Sequence, residues 1–156
     1  MIVYHASPDI IPNPDVMHSR DYLDFGKGFY LTTLREQAEK YAQRFKLRGK
    51  DAFINIYELD DNFGQLSVKT FLHYDEEWLD FVAACRRNID ASTYDIVIGG
   101  IANDKVFRTI DLYFSGDMTK DEALRKLKFE QPNNQLCIRT QNAIDSCLKF
   151  IKSEAI

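Results

Sequence analysis

At 156 residues, with 45% hydrophobic and 28% charged residues, the chain has the make-up of one globular domain rather than a disordered segment. A net charge of −4 and a pI near 5.4 exclude a protein-wide electrostatic footprint for nonspecific binding to a phosphate backbone. Lys and Arg still total 20, which leaves room for a local basic patch.

Ile2-Val3-Tyr4-His5 reads as a first strand, stopped by Ala6-Ser7-Pro8. Pro8, Pro12 and Pro14 make the following stretch an irregular crossing. Asp24 to Thr32 then places two glycines on either side of Lys27 and runs into the apolar strand Phe29-Tyr30-Leu31. Glycine allows positive φ and close approach of a backbone or ligand, and an aromatic at the strand start suits a flat ring. Thr33 to Glu36 has capping-box spacing, and Leu34, Ala38, Tyr41, Ala42 and Phe45 follow at helical intervals up to Gly49.

Phe53–Leu59 and Leu66–Phe71 read as strands. Asp75 caps a helix with Trp78, Phe81, Val82 and Cys85 on one face. Asp95–Gly100 is a buried strand ending in a glycine pair, and a helix carries Val106, Ile110, Tyr113 and Phe114 towards Gly116. Thr119 to Glu122 is a second capping box, opening a helix through Leu127. Gln135–Arg139 is a late strand, and Ile144, Cys147, Leu148 and Ile151 have the spacing of a last helix. Strands and helices mix without regular βαβ alternation, and no G-x-G-x-x-G or GK[ST] accompanies Gly99-Gly100. The expected class is α+β with mainly antiparallel twisted sheets, in a single domain over residues 1–156.

Cys85, Cys137 and Cys147 lack CxxC spacing and sit among apolar neighbours, as reduced buried thiols of a cytoplasmic protein do. Three unclustered His argue against a metal site, and no run reaches the ~20 apolar residues of a membrane span. Three places carry candidate chemistry. His5 ends the first strand, where it can donate to a ligand hydroxyl, beside the small residues Ala6 and Ser7, which let the backbone reach an amide; Gly28-Phe29-Tyr30 opens the second, with Tyr41 eleven residues on; Asn134-Gln135 opens the late strand. A strand and its next helix can present two aromatics to one ring, although Tyr41 also fits the apolar face of its helix. Arg20 can meet a diphosphate as a bidentate donor, or stand as a solvated loop residue. Asn103 and Asp104 suit either a cleft rim or the cap of the helix beginning near Lys105.

In this order the three places resemble the ADP-ribosyltransferase superfamily, in the His–Tyr–Glu branch shared by diphtheria-type toxins and poly-ADP-ribose polymerases. Tyr4-His5-Ala6-Ser7 is similar to its first-strand motif with Ala6 in the Gly position. Gly26-Lys27-Gly28-Phe29-Tyr30 and Tyr41 resemble its Gly-Lys-Gly-hydrophobic-Tyr segment and second Tyr, and Gln135 stands where the branch has its catalytic Glu. Asp24 to Thr32, Gln37-Ala38-Glu39 with Ala42, and Gly100-Ile101-Ala102-Asn103-Asp104 also resemble a small bacterial family assigned to that superfamily.

The resemblance implies a split pair of sheets around an NAD cleft, with NAD as substrate and no metal. His5 would hold the nicotinamide-side ribose, and the Ala6 backbone would pair with the carboxamide, supported by Ser7. Tyr30 and Tyr41 would stack on the ring above Gly28 and Phe29. His5, Tyr30 and Gln135 would be the catalytic set. The resemblance further implies mono-ADP-ribosylation of a protein or nucleic-acid acceptor, by the toxin of a bacterial toxin–antitoxin pair with a small antitoxin partner. Gln135 carries no charge and cannot serve as a general base at neutral pH, which keeps an NAD glycohydrolase and a non-catalytic nucleotide- or partner-binding module open.

Overall fold

A computed structural model describes residues 1–156. In chain order the elements are β1 (Ile2–Ser7), β2 (Phe29–Thr32), α1 (Arg35–Leu47), β3 (Phe53–Leu59), β4 (Val68–Thr70) and α2 (Glu76–Arg86). They continue with β5 (Ile96–Gly99), α3 (Asp104–Phe114), α4 (Lys120–Leu127), β6 (Gln135–Ile138), α5 (Gln141–Cys147) and β7 (Leu148–Ala155). The seven strands form one sheet in the order β4-β5-β6-β2-β1-β3-β7, antiparallel except for β4 beside β5. The α+β, mainly antiparallel class expected from the sequence is therefore the class observed.

The sheet is narrowest in its middle. β1 pairs with β3 over six residues and β2 pairs with β6 over four, but β1 meets β2 at the single register pair Tyr4–Thr32. Beyond that pair the two strands fork. The sheet is thus continuous in hydrogen bonding, with one hinge-like junction where two separate sheets were expected.

Packing explains why α1 lies beside the fork. Ala38 and Ala42, one turn apart, bury their small side chains against Ala6, Ile54 and Ile56, so the helix approaches β1 and β3 closely. The next face of α1 is left for Gln37, Tyr41 and Arg44. On the other side of the fork, Trp78, Phe25 and Val97 belong to a core shared with α2, α3 and α4, and the Trp78 indole donates to the Gly100 carbonyl at 2.8 Å. The glycine pair after β5 serves this packing, because a Cβ on Gly100 would stand 2.5 Å from the Tyr74 hydroxyl oxygen.

Two local expectations fail for identifiable reasons. Thr33 does not cap α1; the N-cap is Leu34, whose N–H turns back to the Thr32 hydroxyl at 3.1 Å. The last helix stops at Cys147, and Leu148–Ala155 pairs with β3 along seven register positions as β7. The spacing of Ile144, Cys147, Leu148 and Ile151 mimics a helix, but β3 would otherwise be an unpaired edge with Tyr57 lacking its contact to Phe150.

Candidate functional site

The fork opens into a cleft of about 590 Å³, within the size range of small-molecule sites. Its walls come from β1 (Tyr4, His5, Ala6), the turn and strand around β2 (Gly28, Tyr30, Thr32), and α1 (Gln37, Tyr41). Gln135 closes one side from β6, and Arg20 lies in the loop before β2.

His5 sits at the fork and bridges its two strands. Its Nδ1 lies 2.7 Å from the Tyr30 carbonyl oxygen, which can only accept, so Nδ1 carries the proton. The ring stacks on Phe29 at 4.3 Å between centroids, and Phe29 in turn meets Tyr57 edge-on. Burial pushes the imidazole pKa below its ordinary value of 6.5, so the ring is neutral at pH 7. A neutral ring protonated at Nδ1 offers Nε2 as an acceptor. His5 can therefore accept a hydrogen bond at Nε2, where the sequence reading has it donate to a ligand hydroxyl.

The edge of β1 is set by the same geometry. The Met1 carbonyl bonds the Leu59 N–H, so odd-numbered residues turn their backbone groups towards β3 and even-numbered ones towards β2. Tyr4 spends its groups on Thr32. Ala6, two residues further, turns its N–H and C=O to the same edge where β2 has already diverged. Ser7 is on the opposite edge, buried, and its hydroxyl accepts from the Asp9 N–H at 3.0 Å; it lies outside the cleft lining.

The two glycines of the Gly-Lys-Gly segment do different things. Gly26 turns the chain at φ +78°. Gly28 has no such φ; a Cβ there would sit 2.4 Å from Cys137 Sγ and 2.6 Å from the Ile138 carbonyl oxygen. It lets the chain press against β6, and its N–H is held by the Ser19 hydroxyl at 2.9 Å. Tyr30 ties this turn down, donating its hydroxyl to the Gly26 carbonyl at 2.6 Å while accepting from the Phe25 N–H at 3.0 Å. Burial raises its pKa well above 10, and it stays protonated.

Tyr41 leaves the core. It is 41% exposed on the cleft side of α1, edge-on to Phe45 and with the Arg44 guanidinium 5.3 Å from its ring centre. Phe29 backs His5 and does not line the cleft. Arg20 is exposed on the lining and free of ion pairs. Asn103 lines the cleft and also caps α3, accepting from the Val106 N–H at 2.9 Å, whereas Asp104 opens that helix outside the lining.

Gln135 carries a partner that the sequence did not single out. Its Nε2 donates to Gln37 Oε1 at 2.5 Å, and that same oxygen accepts from the Thr32 hydroxyl at 2.7 Å. The amide nitrogen is engaged by Gln37, and the carbonyl oxygen of Gln135, a residue of the cleft lining, has no hydrogen-bond partner in the protein. Gln37 falls inside the Gln-Ala-Glu motif, and its position one turn before Tyr41 was the signal available. Asp24 is the second such residue. Its carboxylate holds the Arg86 guanidinium (2.7 Å to Nε) and the Ala102 N–H (2.8 Å), fixing the far wall.

The family model described as "Protein of unknown function (DUF3990)" matches residues 1–150. The chain belongs to the DUF3990 family. Comparison with curated proteins and with solved structures finds no match. What the DUF3990 chain offers chemically thus stands on its own geometry. A neutral imidazole acceptor, a free strand edge, two aromatic rings, a side-chain amide and an arginine share one cleft. No cluster of His, Cys, Asp and Glu that could hold a metal is present, and all three cysteines are free and buried.

Proposed function

We propose that this cleft binds NAD and that the protein is a mono-ADP-ribosyltransferase, the toxin of a two-component pair with a small antitoxin, acting in the cytoplasm. The observation that carries the proposal is the meeting of His5, Ala6, Tyr30, Tyr41, Gln135 and Arg20 on one 590 Å³ cleft, although they are spread over more than a hundred residues of chain. No helix is long and apolar enough to cross a membrane.

On this reading His5 Nε2 accepts from a ribose hydroxyl, and the Ala6 N–H and C=O pair with the carboxamide. Tyr30 and Tyr41 present ring faces to the nicotinamide, and Arg20 meets the diphosphate. Nicotinamide departure leaves positive charge on the ribose carbon, and the amide oxygen of Gln135, which has no partner in the protein, stabilises it through a dipole where a carboxylate would use a full charge. The acceptor brings its own nucleophile, because Gln135 cannot take its proton. That same neutrality favours a second reading, an NAD-binding module without turnover.

Incubation with labelled NAD⁺ and bacterial lysate tests the proposal. Label transfer to a macromolecule, lost in His5→Asn, supports the transferase. Nicotinamide release without transfer makes the protein a glycohydrolase, and binding without release makes it the module. Failure to bind NAD⁺ refutes all three.

A further inference from the structure

The acid pI conceals one concentrated positive surface. Residues 40–50 contain Lys40, Arg44, Lys46, Arg48 and Lys50 and no acid, a formal +5 in a chain of −4. All five are exposed, and none forms an ion pair. The neighbouring acids do not neutralise them: Glu39 is engaged by Arg35 at 2.7 Å, Glu36 lies in the first turn of α1, and Asp51 follows Lys50.

Helical spacing orders this charge. Lys40, Arg44 and Arg48 stand four residues apart, with backbone positions about 6 Å apart along one side of α1 and its C-cap. The row begins inside the cleft, where Lys40 and Arg44 belong to the lining beside Tyr41, and runs out of it to the helix end at Arg48. Ala38 and Ala42 bury the other side of the helix, so the helix that carries the row is fixed against β1 and β3. Leu47, 88% exposed, borders it.

The diphosphate of one dinucleotide needs few of these charges, and Arg20 on the cleft lining is a further cation available to it. A row of cations leading out of a cleft matches a ligand that carries a repeating negative charge past the cleft mouth. We infer that α1 docks a nucleic-acid strand, with backbone phosphates on Lys40, Arg44 and Arg48, and that this strand is the acceptor presented to the cleft. The inference rests on the transferase reading for its second half; the docking half stands on the charge row alone.

Fluorescence anisotropy with the full chain and labelled strands of about 20 nucleotides separates the possibilities, using single-stranded RNA, single-stranded DNA and a DNA duplex as three arms. Three phosphate contacts on a single strand give a slope of about −2 in log affinity against log salt, an affinity loss of about 20-fold between about 50 and about 200 mM salt. The Lys40→Gln/Arg44→Gln/Arg48→Gln variant is expected to lose that slope. Arg125→Gln/Lys126→Gln/Lys128→Gln, the same change of charge on and just after α4, is expected to keep it. Melting curves on both variants verify folding. Binding to none of the three nucleic acids, equal slopes in the two variants, or equal affinity for poly-glutamate overturns the inference, the last pointing to an acidic protein. NAD⁺ binding by Arg48→Gln/Lys50→Gln, outside the cleft, is expected to match the wild type. Loss of strand binding with NAD⁺ binding intact sinks only this inference, and strand binding without NAD⁺ binding sinks the transferase reading.

Discussion

Gln135→Glu restores a carboxylate at the position where the cleft presents an amide, and the structure says what must move. The new carboxylate would face Gln37 Oε1 at the 2.5 Å now occupied by a hydrogen bond, so Gln37 has to turn its amide over and donate from Nε2. That rotation is permitted. The Thr32 hydroxyl oxygen, which accepts only from the Leu34 N–H at 3.1 Å, has a lone pair left to accept from the turned amide. The variant folds, with a carboxylate anchored where the amide was. A hydrogen bond to a charged group exceeds a neutral one by about 1 kcal/mol, and a unit charge about 4 Å from a developing cation contributes at most about 4 kcal/mol at an effective dielectric of 20. Between these bounds, about 2.7 kcal/mol corresponds to a turnover increase of about 100-fold. Nicotinamide release followed by chromatography measures it. Gln37→Leu in the same background removes the anchor and is expected to return most of the gain. Unchanged release at saturating NAD⁺, with binding intact in both proteins, refutes the placement of Gln135 at the reacting carbon.

Three further outcomes follow from the same geometry. His5, neutral in the fold with its pKa below 6.5, makes the unfolded chain bind more protons as pH falls, so its contribution is complete above pH 6.5 and is lost below it. Urea titrations between pH 5 and 8 are expected to show wild-type stability falling on the acid side by up to about 1.4 kcal/mol per pH unit more steeply than His5→Asn. Gly28→Ala drives a Cβ into Cys137 Sγ and the Ile138 carbonyl and costs about 3 kcal/mol, a melting-point loss of about 6–12 °C. Gly64→Ala, at φ +57° in open space, costs about 1 kcal/mol, and equal losses for the two variants would remove the packing role of Gly28. Asp24→Ala strands the largely buried Arg86 guanidinium and the Ala102 N–H; chemical denaturation is expected to read a loss of about 3 kcal/mol.

Much of this fold was legible because local chemistry and tertiary demand agree. Asp75 and Thr119 cap their helices as their spacing implies, accepting from the Trp78 and Glu122 N–H groups. The Phe53–Leu59 strand also lies at its expected bounds. Agreement ends where a distant partner decides. Helical spacing in Leu148 and Ile151 yields to pairing with β3, and Gly28 serves β6, more than a hundred residues away. At the site, sequence order marked His5, Tyr30 and Gln135, but not that His5 accepts, that Tyr41 leaves the core, or that Gln37 orients Gln135. Each of those facts depends on which atom meets which across the fork, and residue spacing carries no such information.

The fork and the chemistry share one cause. In an unbroken ladder the Tyr30 carbonyl would accept from a backbone N–H of β1. Here the His5 side chain supplies the proton, and the strands part beyond Tyr4–Thr32. One substitution of side chain for backbone therefore satisfies the carbonyl, fixes the imidazole tautomer, and frees the Ala6 edge. It follows that His5→Ala is a poor probe of ligand binding, because it also leaves the Tyr30 carbonyl unpaired and unsettles the fork. Asn at position 5 can offer that carbonyl its Nδ2 donor, and lacks the Nε2 acceptor and the ring stacked on Phe29. A melting point for His5→Asn close to wild type, combined with weakened NAD⁺ binding, separates the two duties. A large loss of stability in His5→Asn would mean that the whole ring, stacked on Phe29, holds the strands apart.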